Sequence, residues 1–156
     1  MRSLFDVVVV PVDGSGSSFH ALEVAAWSTR KFGGGEIIAV SVIDEDVVRQ
    51  LSRLETPGMR DVEKKLEADG MRNLALAEKV CSSGGVGIKK VIRRGIPYLE
   101  IVEEARERDA TMIIIGRVGR RGPRRIRIGS VTERVIEYAS CPVMVIAGTG
   151  DNTGER

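Results

Sequence analysis

Five short apolar runs, rich in β-branched residues and separated by stretches of helical spacing, limit what this 156-residue chain can fold into. The runs are Val7–Val12, Ile37–Ile43, Val86–Ile92 (weakened by Lys89 and Lys90), Met112–Ile115 and Val143–Ile146. Unbroken runs of this kind suit strands buried on both faces, as in parallel sheets. Between them, Phe19, Leu22, Ala25 and Ala26 form one helical stripe, entered through Ser15, Ser17 or Ser18 and stopped by Gly33–Gly34–Gly35. Val62, Leu66, Asn73, Ala77 and Val80 form a longer, less clean stripe from about Asp61 to Cys81. Pro97 opens a third helix, where its missing N–H costs nothing, with Leu99, Val102 and Ala105 along its inner face. Ser130 to Ala139 reads as the fourth. Alternation of this order predicts a doubly wound α/β fold. Two pieces fall outside it: a short extra helix over Asp44 to Thr56, closed by Pro57–Gly58, and a polar tail, Gly148 to Arg156, expected to be disordered. With no internal repeat and no linker, residues 1–147 are expected to form one domain.

Several classes are disfavoured. The longest apolar run, Val7–Val12, is too short to span a bilayer, and with Met1–Arg2–Ser3 leading straight into a strand no signal peptide is expected. Cys81 and Cys141 form neither a metal spacing nor a disulfide framework, which fits a reducing cytoplasm. The net charge of +2 is uneven: Arg117, Arg120, Arg121, Arg124, Arg125 and Arg127 share a stretch with no acid, and without them 18 basic residues face 22 acidic ones. That distribution favours one polyanion-binding spot over a broad nucleic-acid surface. Glycine, 18 residues or about 12% against an average near 7%, marks tight turns or close backbone approaches.

Open α/β sheets bind ligands beyond the carboxyl ends of their strands, where the strand order reverses. The ends to weigh are Val12–Asp13–Gly14, Val40–Asp44, Arg93–Gly95 and Gly116–Gly119. The last is the most informative. Gly116-Arg117-Val118-Gly119 is followed by nine residues and then by Gly129-Ser130 at a helix start. Glycines there let amides point outward as an anion nest, the helix start adds free N–H groups, and the arginines lie between. Phosphate is the group all three favour. Plainer readings stand beside this one. Asp13 facing Gly116 could be a turn residue, Ser130-Val131-Thr132-Glu133 fits a capping box, and the glycines fit ordinary turns. The arginines fit a solvated loop or a nucleic-acid contact, though without interleaved aromatics for stacking. His20 reads as a surface residue, both cysteines as small apolar ones, and Trp27 and Phe32 as packing under the first helix. Gly14-Ser15-Gly16 lacks the third glycine of a dinucleotide turn, where Phe19 stands instead.

The spacing G-x2-G-x9-G-[ST], met by Gly116, Gly119, Gly129 and Ser130, resembles the ATP-binding signature of universal stress proteins. The run Val7 to Ser15 is similar to that family's first strand and adenosine-side aspartate. Gly95-Ile96-Pro97 and Pro142-Val143-Met144-Val145-Ile146 are similar too, so the resemblance runs from Leu4 to Ala147. It implies a Rossmann-like five-stranded parallel sheet in order 3-2-1-4-5, helices on both faces, with ATP across the reversal between strands 1 and 4. By the same resemblance Asp13 and the backbone of Val12 and Val40 face the nucleoside, beside Pro11. Gly116, Arg117, Gly119, Gly129, Ser130, Val131 and Thr132 surround ribose and phosphates. Arg117 departs from the family, which more often carries Ser or Thr there. Mg or Mn would enter on the phosphates. The resemblance places the last strand at a sheet edge, and an exposed apolar edge over 142–147 is expected to be covered by antiparallel pairing with a second copy, a homodimer.

The expected function is therefore that of an ATP-binding universal stress protein, a nucleotide-dependent signalling or protective homodimer in the cytoplasm. No G-x4-G-K-[ST] loop is present, and no carboxylate or histidine is evidently placed to orient a water, so at most slow hydrolysis is expected. Two alternatives stay open: an interaction module with an empty cleft, and nucleic-acid binding through the arginine-rich loop 117–127. The second is the less favoured, and no membrane partner is expected.

Overall fold

A computed structural model describes residues 1–54, 59–119 and 128–148. Its elements run β1 (Val7–Pro11), α1 (Gly16–Lys31), β2 (Glu36–Asp44), α2 (Glu45–Leu54), α3 (Met59–Ser83), β3 (Ile88–Gly95), α4 (Pro97–Glu107), β4 (Met112–Gly116), α5 (Ser130–Tyr138) and β5 (Val143–Ile146). The five strands form one parallel sheet in the order β3-β2-β1-β4-β5, as the resemblance implied. Thr56, Pro57 and Gly58, the expected stop of α2, lie outside the described residues, as do Arg120 to Arg127 and the tail beyond Gly148.

Continuous apolar strands fill both faces. Val8, Val10, Ile37, Ala39 and Ile114 pack under α1 and α3 against Leu22, Ala25, Leu74 and Ala77. Val9, Ile38, Val40, Ile113 and Ile115 point the other way, onto Ile101 and Ala105 of α4 and Val135 of α5. A small third cluster, Ile43, Val48 and Val62, seats α2. Of the three serines considered for the entry to α1, Ser15 is the cap: its side chain accepts from Ser18 N at 3.1 Å. Pro97 is the first residue of α4, as expected.

Four expectations need correction. β3 lies two to three residues later than Val86–Ile92. Val86 instead belongs to the turn after Gly85, its N–H donating to the Cys81 carbonyl, with its side chain buried in the core. The strand then runs on through Arg93 and Arg94 because both find acids, Arg93 on α4 and Arg94 at Glu63 and Glu67 of α3. In α4, Leu99 is 43% exposed, and the packed face is Tyr98, Ile101 and Ala105. Trp27 and Phe32 are not tucked under α1. Both are more than half exposed, and Phe32 stacks on Phe5 with Trp27 against its edge. Finally, Ser130 does not cap α5. Gly129 holds the cap position with no side-chain bond, and Ser130 is the first helical residue.

Candidate functional site

β1 is flanked by β2 on one side and β4 on the other, so the reversal of strand order falls between the ends of β1 and β4. β1 stops at Pro11, opposite Val40, and Val12 N donates to Val40 O at 2.8 Å. Residues 41–44 of β2 continue past that point, paired only with β3 within the sheet. A step is left at the top of the sheet beside Asp13.

The two glycine stretches meet here. Gly116 ends β4 so close to α1 that a Cβ on it would lie 2.5 Å from Ser17 Oγ and 2.8 Å from the Ser17 carbonyl carbon. The chain then turns back. Arg117 N donates to Ile146 O, and Arg117 O accepts from Gly129 N, both at 2.8 Å. Gly129 consequently lies beside the turn: a Cβ on it would stand 3.4 Å from Gly119 N and from Val118 Cα, in ordinary contact. Its backbone (φ −69°, ψ 154°) suits any residue, and a bare Cβ would make ordinary contact, so room is short only for a larger side chain. Thr132 Oγ1, buried in the first turn of α5, donates to Gly116 O at 2.8 Å and ties the helix to the end of β4.

Asp13 comes in from the β1 side. Its Oδ1 accepts from Ser15 N at 2.9 Å, and its Oδ2 lies 2.9 Å from where a Cβ on Gly119 would be. It therefore faces Gly119, not Gly116 as the sequence suggested. Gly116 is occupied by Ser17.

Electrostatically the crevice is a cation-like end built from backbone. The first intrahelical bond of α5 runs from Glu133 N to Gly129 O, so by helix geometry the amides of Ser130, Val131 and Thr132 have no intrahelical acceptor. They mark the positive end of the α5 dipole, and α1 starts nearby. Anions are the groups such an end attracts. Val12 and Val40 are each 1% exposed, and Val12 N and Val40 O are hydrogen-bonded to each other. Thr132, 3% exposed, has spent its hydroxyl on Gly116.

The structure thus brings Pro11, Val12, Asp13, Val40, Gly116, Arg117, Gly119, Gly129, Ser130, Val131 and Thr132 to one end of the sheet. Of the six clustered arginines, Arg117 is described, and the other five lie outside the described residues. Sequence reasoning missed Ser17, whose role shows only in the contact with Gly116. It also missed the part α3 plays. A polar cleft of about 130 Å³, lined by Gly14, Asp69, Arg72 and Asn73, opens beside Asp13. A polar residue in the buried stripe of α3 was the available signal.

The universal stress protein family model matches residues 4–147. The chain belongs to that family. Universal stress protein MJ0531 of Methanocaldococcus jannaschii is 34% identical over 93% of this chain and 84% of its own length. Among solved structures, the MJ0577 protein superposes with a TM-score of 0.80 at 27% identity, covering 93% of this chain and 97% of that one. A universal stress protein from Archaeoglobus fulgidus, solved in complex with dAMP, gives 0.66 at 25% identity over 90% of this chain and 95% of its own. Among the described residues of this universal stress protein, no helix is long and apolar enough to cross a membrane.

Proposed function

We propose that this universal stress protein binds ATP across the ends of β1 and β4 and acts as a nucleotide-dependent signalling or protective homodimer. The observation that carries the reading is the meeting of Asp13, Gly119 and Gly129 at the start of α5. Phosphates belong at the amides of Ser130, Val131 and Thr132 and at the Gly116–Gly119 turn, where no Cβ blocks approach to the glycines. Asp13 is the hydrogen-bond acceptor placed for a ribose hydroxyl. The base then lies toward β2, where residues 41–44 outrun β1. The dAMP-bound relative supports an adenine nucleotide as the ligand class.

Hydrogen bonds to charged groups contribute about 1.5–3 kcal/mol each. Three or four of them, less the cost of ordering, reach about −8 kcal/mol, which is micromolar affinity. Any Mg or Mn arrives on the phosphates. Among the described residues no group of three or more His, Cys, Asp and Glu is arranged to hold an ion. For the dimer, the support is β5, which pairs only with β4 in the sheet and leaves Val143 to Ile146 half-buried at its edge. Pairing with a second copy would cover it. A monomer in sedimentation at micromolar concentration overturns that part.

Denaturing the protein as purified and chromatographing what is released tests the ligand. The expected result is an adenine nucleotide in near-stoichiometric amount, or its uptake from added ATP by stripped protein. Neither release nor uptake overturns the reading.

A further inference from the structure

Asn73 stands in the inward stripe of α3 among Leu74, Ala77 and Cys81, yet it is polar and half-buried. Its carboxamide lies over the β1–α1 turn, with Oδ1 and Nδ2 each 3.0 Å from the point a Cβ on Gly14 would occupy. Gly14 has φ +86°, which favours glycine, so no side chain stands between the amide and the turn. Three residues earlier, Gly70 brings the same helix onto β2: a Cβ there would lie 2.9 Å from Ser41 Oγ. A mid-helix glycine costs about 1 kcal/mol relative to alanine, so this close approach has its own cost in helix stability. Residues 69–73 therefore approach Ser41 of β2 and the turn at Gly14, and the 130 Å³ polar cleft is lined by Gly14, Asp69, Arg72 and Asn73. Pockets that enclose a small molecule run to roughly 300–1,000 Å³, so this cleft has room for one flat ring system at most.

Two of its polar side chains are spent on each other, since Asp69 is ion-paired with Arg72. Asn73 is not: among the described residues its carboxamide makes no hydrogen bond. The carboxamide is only half-buried, so its donors and its acceptor are open to solvent and available to meet a ligand. It sits over Gly14, next in the chain to Asp13, whose Oδ2 reaches Gly119.

We propose that the Asn73 carboxamide reads the base, its Oδ1 accepting from the 6-amino group of adenine and its Nδ2 donating to the adjacent ring nitrogen. A carboxamide sets an acceptor beside a donor, and adenine presents the complementary pair. The proposal rests on the nucleotide reading above and adds to it a side chain that recognises the base.

The test titrates stripped protein with ATP and with purine riboside triphosphate, which lacks only the 6-amino group. Wild type is expected to prefer ATP by about tenfold, the share of one hydrogen bond. Asn73→Ala, at a position where alanine suits the helix, is expected to lose that preference: it loses both bonds to ATP but only the ring-nitrogen bond to the analogue, so ATP affinity falls about tenfold further than analogue affinity. Asn73→Asp keeps an acceptor and is expected to retain the preference at lower overall affinity. Equal affinities in wild type, or an equal fall for both ligands in Asn73→Ala, overturns base reading while leaving nucleotide binding intact. Loss of the preference in Asn73→Asp also overturns it. Wild type that binds neither ligand overturns both readings.

Discussion

Thr132 Oγ1 donates a buried 2.8 Å hydrogen bond to the carbonyl of Gly116, joining the first turn of α5 to the last residue of β4. Both ends of the candidate anion site are held by that bond. Thr132→Val keeps the shape and removes the donor, leaving the Gly116 carbonyl without this partner in a dry place. Such a loss costs about 1–3 kcal/mol. The expected outcome is a lower urea midpoint with an unchanged slope. A midpoint equal to wild type contradicts the role given to this bond.

A second expectation concerns acid stability. Glu104 is 2% exposed, with Oε2 at 2.6 Å from Arg93 and Oε1 at 2.8 Å from Arg108. Burial alone would raise its pKa, but the two guanidinium groups outweigh it and hold the carboxyl below its ordinary range. A folded-state pKa below the unfolded one contributes stability above the unfolded value, near about 4.3, that is lost as pH falls through the folded value. Glu104→Gln is therefore expected to cost about 2–3 kcal/mol at pH 7 and much less at pH 3, read from urea titrations at each pH. The same difference at both pH values contradicts this.

The two cysteines should separate under thiol titration. Burial pushes the Cys81 thiol up to about 11, and its side chain is fully enclosed under α1 and α3. Cys141 is raised by burial as well, but it is only half-buried. With a disulfide reagent at neutral pH, one thiol per chain is expected to react in the native protein, slowly, and two after denaturation. Two thiols reacting at similar rates in the native state contradicts the packing described.

Most of the architecture could be read from the sequence because a parallel sheet covered on both faces leaves a plain mark. Val7–Pro11 and Met112–Gly116 are uninterrupted apolar segments, and Ser15 and Pro97 mark helix starts by their own chemistry. The errors arose where two local patterns fitted equally well and tertiary contact chose between them. Leu99 and Val102 share a face as well as Tyr98, Ile101 and Ala105 do, and only the second set meets the sheet. Ser130 to Glu133 spells a capping box, but Gly129 takes the cap position, its N–H donating to Arg117 O. The glycine spacing of the candidate site was visible, whereas Ser17 against Gly116 and Asn73 over Gly14 arise from contacts between segments distant in the chain.

Calorimetric titration of the stripped protein with ATP and AMP, beside Gly129→Val, decides whether the Gly119–Gly129 contact grips phosphate. A valine at position 129 must push into the turn at Val118 and Gly119, where a Cβ alone already stands at 3.4 Å. The expected result is micromolar ATP binding by wild type, weaker AMP binding, and at least about a tenfold loss for ATP in the variant, equivalent to 1.4 kcal/mol or more. Equal ATP affinity in the two proteins, or no binding of either nucleotide by wild type, would contradict it.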